Sequence, residues 1–472
     1  MESSRACVLA ALLGALLAVC ASAQPLKCTA TLKGWARLPS SAKAKVPHNA
    51  PSFFRTTGRF SGPGNRRNDT LGAFANCAAA NPGRCTQYRI PFADQAVQGF
   101  SGIKTIRDSN GKPTDEFWVI SDNGLGNKRN SIDSMLFFHR MKVDWKKQSF
   151  SREKSVFLYD KDRKVPFTLR NEETGNRFLS GADFDTESIQ PIGDSVWIGD
   201  EFGPFLIEVS ASSGRVRSFH ETPNPNDTPG QPLVRSPDHD ALQLPNPEAP
   251  MPAFNLKRSK GFEGMARWGN FLYPLLEGPL YVNGPNGSRM YEMHDGLEYL
   301  RILKFDTTTK TWVSGFSLKY PLDANGNAIG DFNMIDEAHG MVLERDNNEG
   351  EPSMACSPGA INASCWEAPA RFKRAYLIDL SAADADGFVK KVAYVDLLDI
   401  KDPDGVSPVS KGGVLTFPFQ TIEDIDVYDA EAQTIIVGND NNFSGRTLGK
   451  ADDNEVVALH VPGFFTGGQG CE

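Results

Sequence analysis

Gly261-Phe262-Glu263-Gly264-Met265, followed a few residues later by Leu272-Tyr273-Pro274-Leu275-Leu276-Glu277, is the stretch from which the fold can be read. A Glu interrupts a short apolar segment flanked by glycine, and an apolar run then ends on a second carboxylate. This two-part pattern recurs. Its first half returns as Gly99-Phe100-Ser101-Gly102-Ile103, Asp185-Thr186-Glu187-Ser188-Ile189, Met334-Ile335-Asp336-Glu337-Ala338 and Thr421-Ile422-Glu423-Asp424-Ile425. Its second half returns as Phe117-Trp118-Val119-Ile120-Ser121-Asp122-Asn123, Val196-Trp197-Ile198-Gly199-Asp200-Glu201, Met341-Val342-Leu343-Glu344-Arg345-Asp346-Asn347 and Ile435-Ile436-Val437-Gly438-Asn439-Asp440-Asn441. Aligned on Ser101, Glu187, Glu263, Asp336 and Glu423, the copies are spaced 86, 76, 73 and 87 residues apart.

After each copy come one or two further alternating runs, among them residues 134–145, 204–210, 300–306, 374–380 and 389–398, separated by Gly, Pro, Asn and Asp turns. No long segment sustains a 3.6-residue period, and 31 prolines in 472 residues would interrupt most helices. Short antiparallel strands, four to a repeat, predict an all-β propeller with five recognisable blades. Residues 24–96 lack the pattern. They read either as a divergent sixth blade or as the source of a closing strand, residues 29–36, added to the last blade near residues 456–460.

Fifty Lys and Arg against 58 Asp and Glu leave a net charge of -8, which argues against nucleic acid or an anionic membrane as the main partner. Residues 1–23 read as a secretory signal: Arg5 precedes an apolar stretch over 6–21, and Ala21-Ser22-Ala23 supplies the small residues of a cleavage site. Residues 24–472 are then expected to form a single exported domain, extracellular or periplasmic according to the host. No later run approaches the roughly 18 apolar residues that cross a bilayer. Beyond the signal lie Cys28, Cys77, Cys85, Cys356, Cys365 and Cys471, an even number that suggests three disulfides. Spacing favours Cys77 with Cys85 and Cys356 with Cys365, leaving Cys28 for Cys471. The sequons at Asn68, Asn226, Asn286, Asn362 and Asn442 are candidate glycosylation sites in a host that glycosylates exported chains.

In a propeller the innermost strands line a central channel, and the loops after them open at one end. Glu187, Glu263, Asp336 and Glu423 are therefore expected near the axis, with Asp200, Glu201, Glu277, Glu344, Asp440 and Asn441 around the rim. Carboxylates brought this close raise one another's pKa and call for a compensating cation. Oxygen donors in this number suit Ca²⁺, with Mg²⁺ as the stricter alternative, and the scarcity of His with no spare Cys argues against Zn²⁺. Cations are the second clue. Lys260 leads directly into Gly261-Phe262-Glu263, and Arg345 stands between Glu344 and Asp346. Arg offers a bidentate fork to phosphate or carboxylate, and Lys a point charge. Cys365 and Arg371 have the spacing of a thiol phosphatase, but Ser364 replaces the expected His and the loop between lacks phosphate-wrapping glycines.

Asp183-Phe184-Asp185-Thr186-Glu187-Ser188 with Trp197-Ile198-Gly199-Asp200-Glu201-Phe202-Gly203-Pro204, then Gly261-Phe262-Glu263-Gly264, Leu343-Glu344-Arg345-Asp346 and Val437-Gly438-Asn439-Asp440-Asn441, resembles the phytase-like family described as having esterase-like activity of phytase. The likeness runs from about residue 100 to 459, and the first blade departs from it in carrying Ser101 where others carry an acid. It implies a secreted propeller that hydrolyses phosphoric or related esters of small molecules, metal-assisted. On that reading Glu187, Glu263, Lys260 and Arg345 are the candidate catalytic residues. Two alternatives stand beside it. One is a calcium-dependent carboxylic esterase or lactonase, with a carboxylate or a His such as His239 or His339 as base and Phe202, Phe205, Phe417 and Phe419 as a greasy mouth. The other is a non-catalytic ligand-binding propeller whose metals only rigidify it.

Overall fold

A strand that is apolar on both faces must lie between two other layers. Ser195–Asp200 and Thr434–Asn439 are such strands, buried along their whole length. They belong to a computed structural model that describes residues 24–59, 91–172, 174–226, 228, 230–240, 254–362, 365–441 and 453–472. The fold is all-β and propeller-like, with only short 3₁₀ turns and no α-helix among the described residues. Successive antiparallel sets comprise Phe100–Arg107, Pro113–Ser121, Phe137–Asp144 and Ser149–Phe157; Thr186–Ile192, Ser195–Asp200, Phe205–Ser210 and Val216–Glu221; Phe262–Trp268, Phe271–Leu276, Leu297–Ile302 and Leu318–Pro321; and Ala328–Met334, His339–Arg345, Lys373–Asp379 and Lys390–Asp396. A last set is Ile422–Asp429, Thr434–Asn439 and Asn454–His460.

That last set is completed from the other end of the chain. Thr31–Leu38 pairs antiparallel with Asn454–His460, which is the closing strand expected near residues 29–36. Leu26–Cys28 runs parallel to the outer strand of the fourth set, and Cys28 is bonded to Cys471. Residues 24–96 otherwise contribute, among the described residues, two small two-stranded pairs. Cys356 and Cys365 form the second expected disulfide. The signal segment, Cys77, Cys85, Asn68 and Asn442 lie outside the described residues.

The first strand of each set packs beside the first strand of the next, and the fifth returns to the first. The apolar clusters fill the gaps between neighbouring sheets. Phe138 and Ile120 of the first sheet meet Ile198 and Phe205 of the second. Trp197 and Leu206 meet Phe262 and Leu272, and Tyr273 and Leu300 meet Phe332 and Tyr376. Met341 and Leu377 meet Ile425 and Val457, while Ile436 and Val456 meet Ile103 and Val119 to close the circle. Each fully buried side chain of this kind contributes roughly 1.5–3 kcal/mol. The interior of the circle, by contrast, is polar. Lys104 Nζ donates to Asn333 Oδ1 at 2.8 Å and pairs with Asp426; Gln190 Nε2 donates to the same oxygen at 2.8 Å. Side chains from four inner strands thus knot together across the axis.

Candidate functional site

Every inner strand carries a β-bulge near its start, after one pair or, in the fourth sheet, after two; one extra residue stands opposite the second strand, which bends the chain and aims that residue out of the ladder. The bulge residues are Ser101, Glu187, Glu263, Gly330 and Glu423. On the second strand, the residue that follows the pair preceding the bulge is Asp122, Glu201, Glu277, Arg345 and Asp440 in turn, Arg345 being itself paired with Ala328. These two sets of positions form the mouth of the channel. The knot of Lys104, Gln190, Asn333 and Asp426 lies three residues further along the inner strands and floors it.

Carboxylate oxygens of Glu187, Glu263 and Glu423, from three sheets, lie within 4.8 Å of one another. The same is true of Asp185, Glu187 and Glu201, and of Glu201, Glu263 and Glu277. All of these residues are buried, with relative exposures of 3–6 %. Asp185 is held in place by Asn123, whose backbone N and Nδ2 donate to it at 2.9 and 2.6 Å. At such separations two ionised carboxylates repel by about 3–4 kcal/mol for an effective dielectric near 20.

Burial, then the charges of Asp185 and Glu263, push the Glu187 carboxyl well above the usual carboxylate range. Burial and then Glu277 do the same to Glu201 and Glu263, and burial and then Asp185 to Asp122. Glu277 goes the other way: burial pushes it up, but Lys260 and Arg345 outweigh burial and hold it below the usual range. It pairs with Lys260, and its Oε1 lies 3.8 Å from Arg345. Arg345 also donates to Glu423 Oε1 at 2.8 Å. Two cations therefore stand among seven interacting carboxyl groups, Asp122, Asp185, Glu187, Glu201, Glu263, Glu277 and Glu423.

The chain matches the family described as Phytase-like, Esterase-like activity of phytase, over residues 95–443. It belongs to that family. No curated protein matches it. Among solved structures it is similar to a luciferin-regenerating enzyme (10 % identity, 80 % of this chain and 94 % of that one, TM-score 0.29) and to regucalcin, a calcium-binding protein of Agrobacterium tumefaciens (10 %, 77 % and 92 %, 0.29). A third is the C-terminal WD40 domain of Sif2 (11 %, 79 % and 84 %, 0.28). These distant likenesses carry nothing about activity.

In this phytase-like chain the expected site residues fall into two groups. Glu187, Glu201, Glu263, Glu277, Glu423, Lys260 and Arg345 come together at the channel mouth, and Asp440 takes the corresponding rim position of the fifth sheet. Asp200, Asp336, Glu344 and Asn441 stand elsewhere. Asp200 staples the loop behind Asp185, accepting from the backbone N of Asp185 at 2.8 Å and of Gly203 at 2.7 Å, and burial raises it to about 8. Asp336 lies at the opposite end of its inner strand, where His339 Nδ1 is 3.0 Å from it. Glu344 points away from the channel to Tyr320, Asn327 and Lys391 at 2.8, 2.8 and 2.6 Å. Asn441 clasps the first sheet through the backbone N of Gly99 at 2.9 Å.

The register places Gly330, six residues before Asp336, at the bulge of the fourth sheet. No side chain fits there: a Cβ would sit 2.4 Å from the carbonyl oxygen of Ile422. Asp122 and Asp185 join the ring without having been singled out. His339 is tied to Asp336, and His239 is buried against Phe205, where burial and then Arg235 lower it to about 3. Phe202, Phe205, Phe417 and Phe419 are all buried, so none of them lines an apolar mouth. The clustered donors are carboxylate oxygens, with neither His nor Cys among them, and their mutual repulsion is relieved by positive charge. They fit a hard divalent cation.

Proposed function

We propose that this chain is an exported, metal-dependent hydrolase of phosphoric esters, built as a single five-bladed propeller over residues 24–472, with its site at the channel mouth. Asp185, Glu187, Glu201, Glu263 and Glu423 are the residues that would hold Ca²⁺, or Mg²⁺ in its place. A cation bound there supplies Lewis acidity and neutralises charge on the phosphoryl group. Lys260 and Arg345 orient the phosphoryl oxygens, Arg345 through its charge and its Nε–H and Lys260 as a point charge at the opening. Glu187 and Glu263, whose carboxylates would face a bound water from neighbouring sheets, accept or return the proton of the attacking water. The knot at Asn333 closes the inner end, so ester enters and alcohol leaves by one mouth.

The observation that carries this reading is the insertion of two cations into an otherwise acidic ring. Acids alone suit a structural metal, whereas cations beside them serve an anionic substrate. The burial of the four phenylalanines removes the support for a carboxylic ester or lactone substrate. The test is phosphate release from an aryl phosphate and an inositol phosphate, and alcohol release from a carboxylic ester, before and after chelation. Phosphate release that stops on chelation and returns with Ca²⁺ is expected. Turnover of the carboxylic ester alone, or of neither compound, refutes the proposal.

A further inference from the structure

On the reading just given, the ring has two unlike sides, and Glu277 falls on the unexpected one. Four sheets place an acid at the rim position, Asp122, Glu201, Glu277 and Asp440, and the fourth sheet places Arg345 there. Arg345 is 5 % exposed and its fork is nearly used up: one terminal nitrogen donates to Glu423 at 2.8 Å and the other to Asn347 at 2.9 Å. Its Nε is buried and has no hydrogen-bond acceptor. A buried donor left without an acceptor is costly, and its vacancy points to an acceptor supplied by a ligand. Lys260 differs, with 31 % of its side chain exposed towards the mouth. Between them stands Glu277, 5 % exposed, paired with Lys260 and close to Arg345. A carboxylate whose charge is already offset by two cations attracts a third less strongly than its unpaired neighbours do.

We propose that Glu277, although its carboxylate lies within 4.8 Å of those of Glu201 and Glu263, is a positioning residue rather than a metal ligand: it holds Lys260 and Arg345 as a paired seat for the phosphoryl group, beside the cation-holding carboxylates of Asp185, Glu187, Glu201, Glu263 and Glu423. The seat needs both cations turned to one point. Glu277 supplies the common anchor, and the bulge at Gly330, having no side chain, sets no fourth acid in Arg345's way. Loss of the anchor frees Lys260 to swing into solvent, and lets Arg345 turn wholly to Glu423.

Calorimetric titration of the full exported chain with Ca²⁺, and of the Ca²⁺-loaded chain with inorganic phosphate, separates the two sides. Glu277→Gln is expected to keep Ca²⁺ affinity within about twofold and to weaken phosphate binding about tenfold, the scale of one charge-assisted contact. Arg345→Gln is expected to behave alike, whereas Glu187→Gln weakens Ca²⁺ about tenfold or more. Removing a negative charge beside an anion site would by simple electrostatics tighten phosphate binding, so a tighter complex in Glu277→Gln overturns the positioning role. A loss of Ca²⁺ affinity equal to that of Glu187→Gln overturns it too, by making Glu277 a ligand. Should Glu277→Gln fail to fold by circular dichroism, Glu277→Asp keeps the charge and shortens the reach; it is expected to lose phosphate affinity severalfold with Ca²⁺ unchanged, and the reverse pattern refutes the assignment. Wild-type chain that takes up neither Ca²⁺ nor phosphate overturns the hydrolase reading itself. Wild type that binds both, with Glu277→Gln altered in neither, overturns the division alone.

Discussion

In the second sheet the bulge residue is Glu187 and the rim residue Glu201; in the fourth the same two places hold Gly330 and Arg345. The backbone is common to both. Each has an extra residue opposite the second strand, and each inner strand continues with a polar side chain three residues on, Gln190 or Asn333, into the floor of the channel. What differs is charge, from two acids to none and one cation. The repeat therefore fixes where side chains meet, and each sheet is free to choose what it brings. A ring of identical sheets would be a symmetric anionic cage; the cation that the fourth sheet brings makes it two-sided.

Acids of the two kinds of place respond oppositely to removal, and this gives the sharpest test of the contrast. Glu344 is fully buried on the outer side of the fourth sheet and bonded to Tyr320, Asn327 and Lys391. Glu344→Gln should cost about 3 kcal/mol in denaturant unfolding, because Lys391 keeps only Asp323 as its counter-ion. Glu187→Gln should do the reverse in chelated protein, raising stability by roughly 1 kcal/mol as like-charge repulsion falls. If both variants destabilise equally, the ring is a structural network like that around Glu344, and the two regions do not differ.

pH provides a second, smaller contrast. The carboxyls of Glu187, Glu201 and Glu263 are raised on folding, and that of Asp200 is raised to about 8. A carboxyl raised in the folded state binds more protons there than when unfolded, so stability falls as pH climbs from the unfolded value near 4 to the folded value. Chelated protein should thus lose melting temperature steadily between about pH 4 and 8. Ca²⁺ competes with those protons, so its stabilising increment should grow over the same interval. A Ca²⁺ increment that is flat with pH would place the ion away from these acids. The smallest expected effect is at Asp336: Asp336→Asn, at the far end of the channel, should leave Ca²⁺ affinity unchanged and stability within about 0.5 kcal/mol. A loss of Ca²⁺ there would join the two ends of the channel into one site.

Much of this arrangement was legible in the sequence, for an identifiable reason. A bulge consumes two residues between two apolar ones, so Phe100-Ser101-Gly102-Ile103, Phe262-Glu263-Gly264-Met265 and Ile422-Glu423-Asp424-Ile425 read alike in the chain and superpose in space. The fourth sheet obeys the same rule as Ile329-Gly330-Asp331-Phe332. An alignment on acids passes over it, because Gly330 carries no side chain and the nearest acid in a similar setting, Asp336, lies past the end of the strand. Apolar spacing was the better guide, since it reports the backbone rather than the chemistry. Glu344 misled for a related reason: side chains alternate along a strand, so Glu344 and Arg345 point to opposite sides, and only one of two adjacent charged residues can face the channel. Asp185 and Asp122 were hidden at turns, where an Asp more often caps a loop. For residues 24–96 the sequence left a sixth blade and a closing strand as alternatives, and the pairing of Thr31–Leu38 with Asn454–His460 supports the second.

The pairing of Thr31–Leu38 with Asn454–His460 also governs when the site can exist. Ring closure joins segments about 420 residues apart, a contact that a growing chain cannot make until its last strand has left the ribosome. Until then the fifth sheet has an open outer edge, and the ring that holds Glu423 and Asp440 against the first sheet is not locked. The early sheets can fold as they emerge; the carboxylates from different sheets meet only at the end. The repulsion they bring is thereby deferred to the final step of assembly, after most of the apolar surface between sheets has already been buried.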